Sequence, residues 1–304
     1  MGESLCYSWL KHIKGCQVVQ TNWKASMMWK HYNVNRNFIS LLTVNLAATT
    51  VFQQTECDVI GLNIDGNKRT VYAVEVAYHK GGLGYTNNLQ KIHDKCIRIA
   101  ACMRACFPGH TINIYFTSPK VGNTLRTQIK QNIDGVLNNK IQNFDPNITI
   151  QTILDKDFTC RIITPLIICQ DEITDSSEAF VRSCQMLMLH QPSIINCQNY
   201  MTNDTFNEFP IPGVLAKLVM GQILKRMPIS SQDFKDLMNQ NYCSNNFGMG
   251  TWTVVTNTLN AARGHYWVVP FKGSKQPYYL TNQWTGQNKQ RLINWILNHR
   301  QFLY

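Results

Sequence analysis

The sequence predicts an α/β protein: a mixed sheet flanked by helices, followed by a mainly helical C-terminal domain. Three observations carry this. Two β-branched-rich runs meet at a short Asp-Gly turn, as a hairpin does. Stretches of helical apolar spacing then alternate with short strand-like runs. Past residue 205 the pattern changes to successive helices and a marked basic excess. At 304 residues the chain suits one large domain or two medium ones. Hydrophobic content of 44% against 15% charged residues excludes a disordered chain.

Each element can be justified in order. Residues 3–14 place Leu5, Trp9, Leu10 and Ile13 at helical spacing, with Gly15 just past the end, and read as a short amphipathic helix. Residues 17–21 suit a short strand, whereas 38–48 alternate too poorly to assign. Residues 57–64 and 70–79 are the two β-rich runs, joined by Asp65-Gly66-Asn67-Lys68. Residues 88–107 carry Leu89, Ile92, Cys96, Ile99, Ala100 and Met103 on one stripe, and Pro108-Gly109 stops that helix. A strand over 111–117, a helix over 125–141 and a strand over 148–154 complete a helix-covered mixed sheet. A further strand is expected at 162–168 and a helix at 176–189. The first domain is placed at 1–157, a connecting region at 158–205 and the C-terminal domain at 206–304.

The C-terminal domain is expected to hold helices over 213–227, 230–242 and 251–262. Strands at 266–271 and 277–280 then flank the basic turn Lys272-Gly273-Ser274-Lys275, and a helix over 289–299 closes the chain. Three helices and a basic hairpin make a winged-helix-like pattern. Its third helix would enter the major groove of double-stranded DNA, with Arg263, Lys272 and Lys275 on phosphates. The tryptophans at 252, 267, 284 and 295 are read as its core and anchors rather than as base-stacking platforms.

Charge supports a polyanionic partner. The chain carries a formal net charge of +11. From residue 211 onward ten Lys or Arg stand against Asp233 and Asp236, while the first 210 residues hold 19 basic and 16 acidic side chains. Such asymmetry points to nucleic acid. The 11 cysteines show no Cys-x-x-Cys spacing, which excludes a zinc ribbon or thioredoxin-type motif and suits a reducing, cytoplasmic setting. No apolar run is long enough for a transmembrane helix, so no membrane partner is expected. No Gly-x-Ser-x-Gly or equivalent nucleophile context occurs.

The hairpin carries the chemistry. Asp58 lies on its first strand and Glu75 on its second, each among apolar neighbours where a carboxylate is costly unless paired or bound to a cation. Two such carboxylates on paired strands suit a divalent metal, and magnesium takes one or two carboxylates plus waters and phosphate oxygens. Strand alternation sends Glu75, Ala77 and His79 to one face. The glycine-rich loop at 80–85 fits neither a Walker loop nor a dinucleotide fingerprint.

On these residues and this element order, roughly residues 1–155 resemble the PD-(D/E)xK nuclease superfamily, the restriction-endonuclease-like fold. Asp58 stands at that family's first metal-binding aspartate, and Glu75 at the second acidic position 17 residues on. The family's lysine, two residues further, is Ala77 here. Members replace that lysine or supply it from another element, often the following helix, which makes His79, Lys80, Lys91 and Lys95 the candidates. Glu3 matches an acidic residue that some members carry on the first helix. The resemblance implies Mg2+, with Mn2+ able to substitute, on Asp58, Glu75 and the Val76 carbonyl. It implies metal-assisted phosphodiester hydrolysis by a restriction-type or defence endonuclease, an enzyme class that often works as a homodimer. Lys24 and Lys80 are the expected DNA contacts of the first domain. The alternative is a catalytically degenerate nuclease fold acting as a DNA-binding protein, for which Ala77 is the main argument. An RNA-processing nuclease is a third reading that fold and charge permit.

Overall fold

In a computed structural model of the chain, the described residues are 2–26, 34–44, 46–78, 82–83, 88–170, 173, 178–190, 197–258, 266–269 and 277–303. The chain divides into two compact units, Met1–Ile163 with Ser177–Phe180, and Thr164–Ser176 with Val181–Tyr304. The expected connecting region at 158–205 is therefore shared out between them.

The first unit opens with α1 (Gly2–Ser8), extended by a π-helical turn over Trp9–Ile13. Then come β1 (Val18–Trp23), the short helices α2 (Arg36–Ile39) and α3 (Ala48–Gln54), and the hairpin strands β2 (Cys57–Asp65) and β3 (Lys68–Val76). Helix α4 (Asn88–Cys106) leads to β4 (Thr111–Ser118). Helix α5 (Asn123–Ile129) runs through a π-helical stretch, Lys130–Leu137, into α6 (Asn138–Gln142), and β5 (Ile148–Leu154) and α7 (Lys156–Phe158) follow. The sheet order is β1-β2-β3-β4-β5. β1, β2 and β3 pair antiparallel, while β3, β4 and β5 pair parallel. Parallel neighbours need long crossovers, which α4 and the α5–α6 segment provide.

The two faces of the sheet are covered by different elements. Ile60, Val71, Ala73, Ile112, Ile114 and Ile150 pack with Ile97, Ile99, Met103 of α4 and Ile129 of α5 in one core. On the other face Trp9 meets Tyr115 edge-on at 5.4 Å, and Tyr115 stacks with Tyr72. Gly61 is required there, because a Cβ at that position would come within 2.8 Å of Cys16 Sγ.

In the second unit α8 (Thr164–Cys169), α9 (Ala179–His190, whose first two residues fall in the first unit) and α10 (Asn203–Asn207) precede α11 (Pro212–Leu215). A π-helical turn, Ala216–Met220, joins α11 to α12 (Gly221–Arg226), with α13 (Gln232–Leu237) and α14 (Gln240–Phe247) beyond. Strands β6 (Val255–Thr256), β7 (Tyr266–Val269) and β8 (Tyr278–Thr281) form an antiparallel sheet in the order β6-β8-β7, and α15 (Lys289–Asn298) follows.

Two elements differ from expectation. The strand expected at 162–168 is helical: a π-helical turn over Thr159–Ile163 runs into α8, with Pro165 as the second residue of α8. Every residue of α8 is buried, and an apolar run buried on all sides has no period that separates helix from strand. The helix expected over 251–262 is absent from its described part, 251–258, where a turn leads into β6 and Val255 pairs with Leu280. β7 and β8 pair antiparallel, with Tyr266 opposite Thr281, and the basic turn expected between them lies outside the described residues. Among the described residues no helix is long and apolar enough to cross a membrane.

Candidate functional site

The hairpin sets the two acidic residues against each other. Its register pairs Val59 with Val74, and one step further puts Asp58 opposite Glu75. Directly opposed residues share a face of the sheet, with Cβ atoms about 5 Å apart. Asp58 Oδ2 accepts a 2.7 Å hydrogen bond from the Val76 main-chain N–H, which fixes its carboxylate at the end of β3. Glu75 is only 5% exposed. Its Oε2 is buried and meets no hydrogen-bond donor among the described residues. The Glu75 main-chain carbonyl accepts from the Thr117 hydroxyl of β4 at 3.0 Å.

The cation comes from the following helix. Lys91, Lys95 and Arg98 fall at i, i+4 and i+7 on α4, one face of the helix. Lys95 Nζ pairs with Glu75 Oε1. Burial pushes the Glu75 carboxyl up to about 8, with Lys95 pulling it down and the neighbouring Asp58 charge adding to the rise. Burial works against the Lys95 charge too, but Glu75, with Asp58 behind it, outweighs this and lifts Lys95 above the usual lysine value. Among the described residues no group of three His, Cys, Asp or Glu side chains gathers as a metal cluster. What is present is a carboxylate pair open to a cavity.

That cavity, of about 720 Å³, lies wholly within the first unit. Its lining includes Asp58, Glu75, Val76 and Ala77 from the hairpin, Lys91, Lys95 and Arg98 from α4, and Glu3 from α1. Gly2 lets α1 begin there, because a Cβ would stand 2.7 Å from Val76 Cγ1. Of the candidate replacements for the missing lysine, the structure therefore brings Lys95 onto Glu75 and Lys91 onto the cavity wall. His79 and Lys80 lie outside the described residues. So do Arg263, Lys272 and Lys275, the expected DNA contacts of the C-terminal domain. Lys24 is exposed and pairs with Glu56, another lining residue, at 3.1 Å.

Other residues take structural roles. Cys57 is fully buried, and that burial raises its thiol far above the ordinary value, so it stays neutral. His93 Nδ1 contacts Asp94 Oδ1 at 3.2 Å, a partner rather than a metal. In the second unit Trp284 and Trp295 are nearly buried against Phe247, at ring distances of 5.7 and 6.5 Å. None of the 11 cysteines is in a disulfide. Arg98 and Glu56 were not singled out by sequence as site residues; the i+7 spacing from Lys91 is the signal that points to Arg98. No protein-family model, curated protein or solved structure matches the chain.

Proposed function

We propose that the chain is a magnesium-dependent endonuclease of the PD-(D/E)xK type, whose first unit cuts phosphodiester bonds in double-stranded DNA and whose basic, winged-helix-like second unit binds the duplex. The observation that carries this reading is the ion pair between Lys95 and Glu75 in a cavity that also holds Asp58. It supplies a cation where Ala77 leaves a gap, and so favours an enzyme over a binding protein that has lost its chemistry. The strand order and pairing of the five-stranded sheet, with α4 as the crossover after the hairpin, support the same reading.

The donor set fits a divalent ion. Glu75 Oε2 is a buried oxygen with no donor among the described residues, and it stands beside the opposed Asp58 carboxylate. Asp58, Glu75 and the Val76 carbonyl would hold the ion. When bound, magnesium or manganese neutralises charge on the phosphate and lowers the pKa of a water. The protein groups do the rest. The Val76 N–H holds Asp58 in place, and the buried sheet under Glu75 fixes its carboxylate. Lys95 projects its ammonium into the cavity, where it orients the attacking water and complements negative charge growing at phosphorus. The basic excess after residue 210 draws the polyanion to the protein.

A supercoiled-plasmid assay tests the proposal. With Mg2+ or Mn2+ the full chain is expected to nick or linearise the plasmid, and Glu75→Ala is expected to lower the rate at least about 1,000-fold. DNA binding without cleavage in either metal, unaffected by Glu75→Ala, would overturn it.

A further inference from the structure

Besides its acidic and basic groups, the carboxylate cavity is lined by Tyr78, Leu83 and Phe116. A metal ion, a water and a phosphate need no such apolar wall. Phe116 is buried in the sheet, but Tyr78 is 51% exposed. No hydrogen bond, ion pair or ring contact holds Tyr78 among the described residues. A Cβ at Gly2 would stand 3.0 Å from Tyr78 Cβ and 2.7 Å from Val76 Cγ1, so Tyr78 leaves the chain on the α1 side. Lys95 reaches Glu75 from α4, which covers the other face of the sheet. The carboxylate pair is thus flanked by a cation from one face and an unpartnered aromatic ring from the other.

We infer that the Tyr78 ring stacks on the nucleobase adjoining the scissile phosphate, and that the enzyme favours duplex steps at which this base is unpaired or mispaired. This rests on the nuclease reading and names its preferred substrate. In a paired duplex the neighbours cover both faces of a base, so a side-chain ring reaches a base face only where the base leaves the stack. Leaving the stack costs least for a mismatched or unpaired base, and that difference is a source of selectivity. Tyrosine suits the task, because it offers a rigid aromatic face with only two side-chain torsions to fix. Its exposure is what a stacking platform requires, whereas Trp284 and Trp295 are buried against Phe247. Size supports the inference as well. A space of about 720 Å³ falls within the range of small-ligand pockets and is too small for a duplex, so beside the phosphate it takes one displaced nucleotide. The half-buried Leu83 and the Phe116 ring continue the apolar wall that such a base would face.

The experiment uses the full chain, Mg2+ and three duplexes spanning a step that the protein cuts in the plasmid. One is fully paired. The second has a mismatch at the cut step, made by changing the uncut strand alone. The third has the same uncut strand and an abasic site in place of the base expected on Tyr78. Wild type should favour the mismatched over the paired duplex at least about tenfold in kcat/KM, and the abasic duplex should lose that advantage. Tyr78→Phe and Tyr78→Trp should keep the mismatched-to-paired ratio, and Tyr78→Ala, a change at an exposed position, should bring it close to one. Equal cleavage of the three duplexes by wild type, or a Tyr78→Ala ratio equal to that of wild type, would overturn the inference and leave the nuclease reading standing. So would a Tyr78→Phe ratio as low as that of Tyr78→Ala, because the ring would then not be the determinant. If wild type cuts neither plasmid nor duplex in Mg2+ or Mn2+, the nuclease reading falls and this inference with it.

Discussion

Glu75 and Trp284 are both nearly buried, at 5% and 7% exposure, yet the two units hold them in opposite ways. Trp284 donates its indole N–H to the Thr281 carbonyl at 2.8 Å and packs edge-on against Phe247. Its polar group is answered and its ring fills a core. Glu75 faces a second carboxylate, pairs with Lys95, and has one oxygen with no donor among the described residues. A buried polar group without its partner costs free energy that packing elsewhere has to offset. The first unit therefore stores an electrostatic conflict that a cation would relieve. Phe247, Trp284 and Trp295 are committed to the stability of the second unit. Under the proposed function, Trp284 and Trp295 would not serve as base-stacking platforms, and the second unit's contact with a duplex would fall to cationic side chains.

The sharpest way to break the contrast is Phe247→Ala. Phe247 is 1% exposed and touches Trp284 and Trp295, so its loss should destabilise the second unit by about 3–5 kcal/mol, measured by denaturant unfolding. Unchanged stability with lost DNA affinity would instead make those aromatics a binding surface.

A pH titration of stability in the metal-free protein separates the buried conflict from an ordinary ion pair. The folded state keeps a proton on Glu75 that the unfolded chain releases above its ordinary value of 4.5. Stability should therefore fall as pH rises from about 4.5 toward 8, and Glu75→Gln should flatten that slope. Glu178 has the opposite sign. Burial opposes its charge, but Lys11, the Ser8 hydroxyl and His12 outweigh that and hold its pKa below the ordinary 4.5. Its contribution is present above pH 4.5 and lost as pH falls through the lowered folded value, and Glu178→Gln should remove that acid limb. Equal slopes in wild type and both variants would show that neither carboxyl is perturbed.

The smallest effect is expected at Asn22. On edge strand β1 the register places it across from Asp58, with φ of 52°, a left-handed conformation that glycine adopts more readily. Asn22→Gly should gain up to about 0.5 kcal/mol and keep full cleavage. Loss of cleavage with no loss of stability would give the Asn22 side chain a part in the site.

Much of the site was legible because it is local. The hairpin, its turn and the apolar stripe of α4 are set by period and turn chemistry, and cross-strand pairing of Asp58 with Glu75 follows from them. Lys95 could be named as one of several candidates, but its choice over Lys91 depends on how α4 packs on β3, which no local spacing fixes. The place of Tyr78 on the cavity wall was invisible for the same reason, since α1 reaches it through the tertiary fold. Elements went astray where the local signal was ambiguous. The β-branched residues of 162–168 resemble a strand until burial on every side is known, and Val255–Thr256 pairs with β8 across more than twenty residues of sequence.

Moving the lysine tests the central claim most directly. Lys95→Ala should cut plasmid in Mg2+ about 100- to 1,000-fold more slowly than wild type. Adding Ala77→Lys, just past the end of β3 and in the same cavity, should recover a large part of that loss. Cleavage by Lys95→Ala at the wild-type rate would contradict the account.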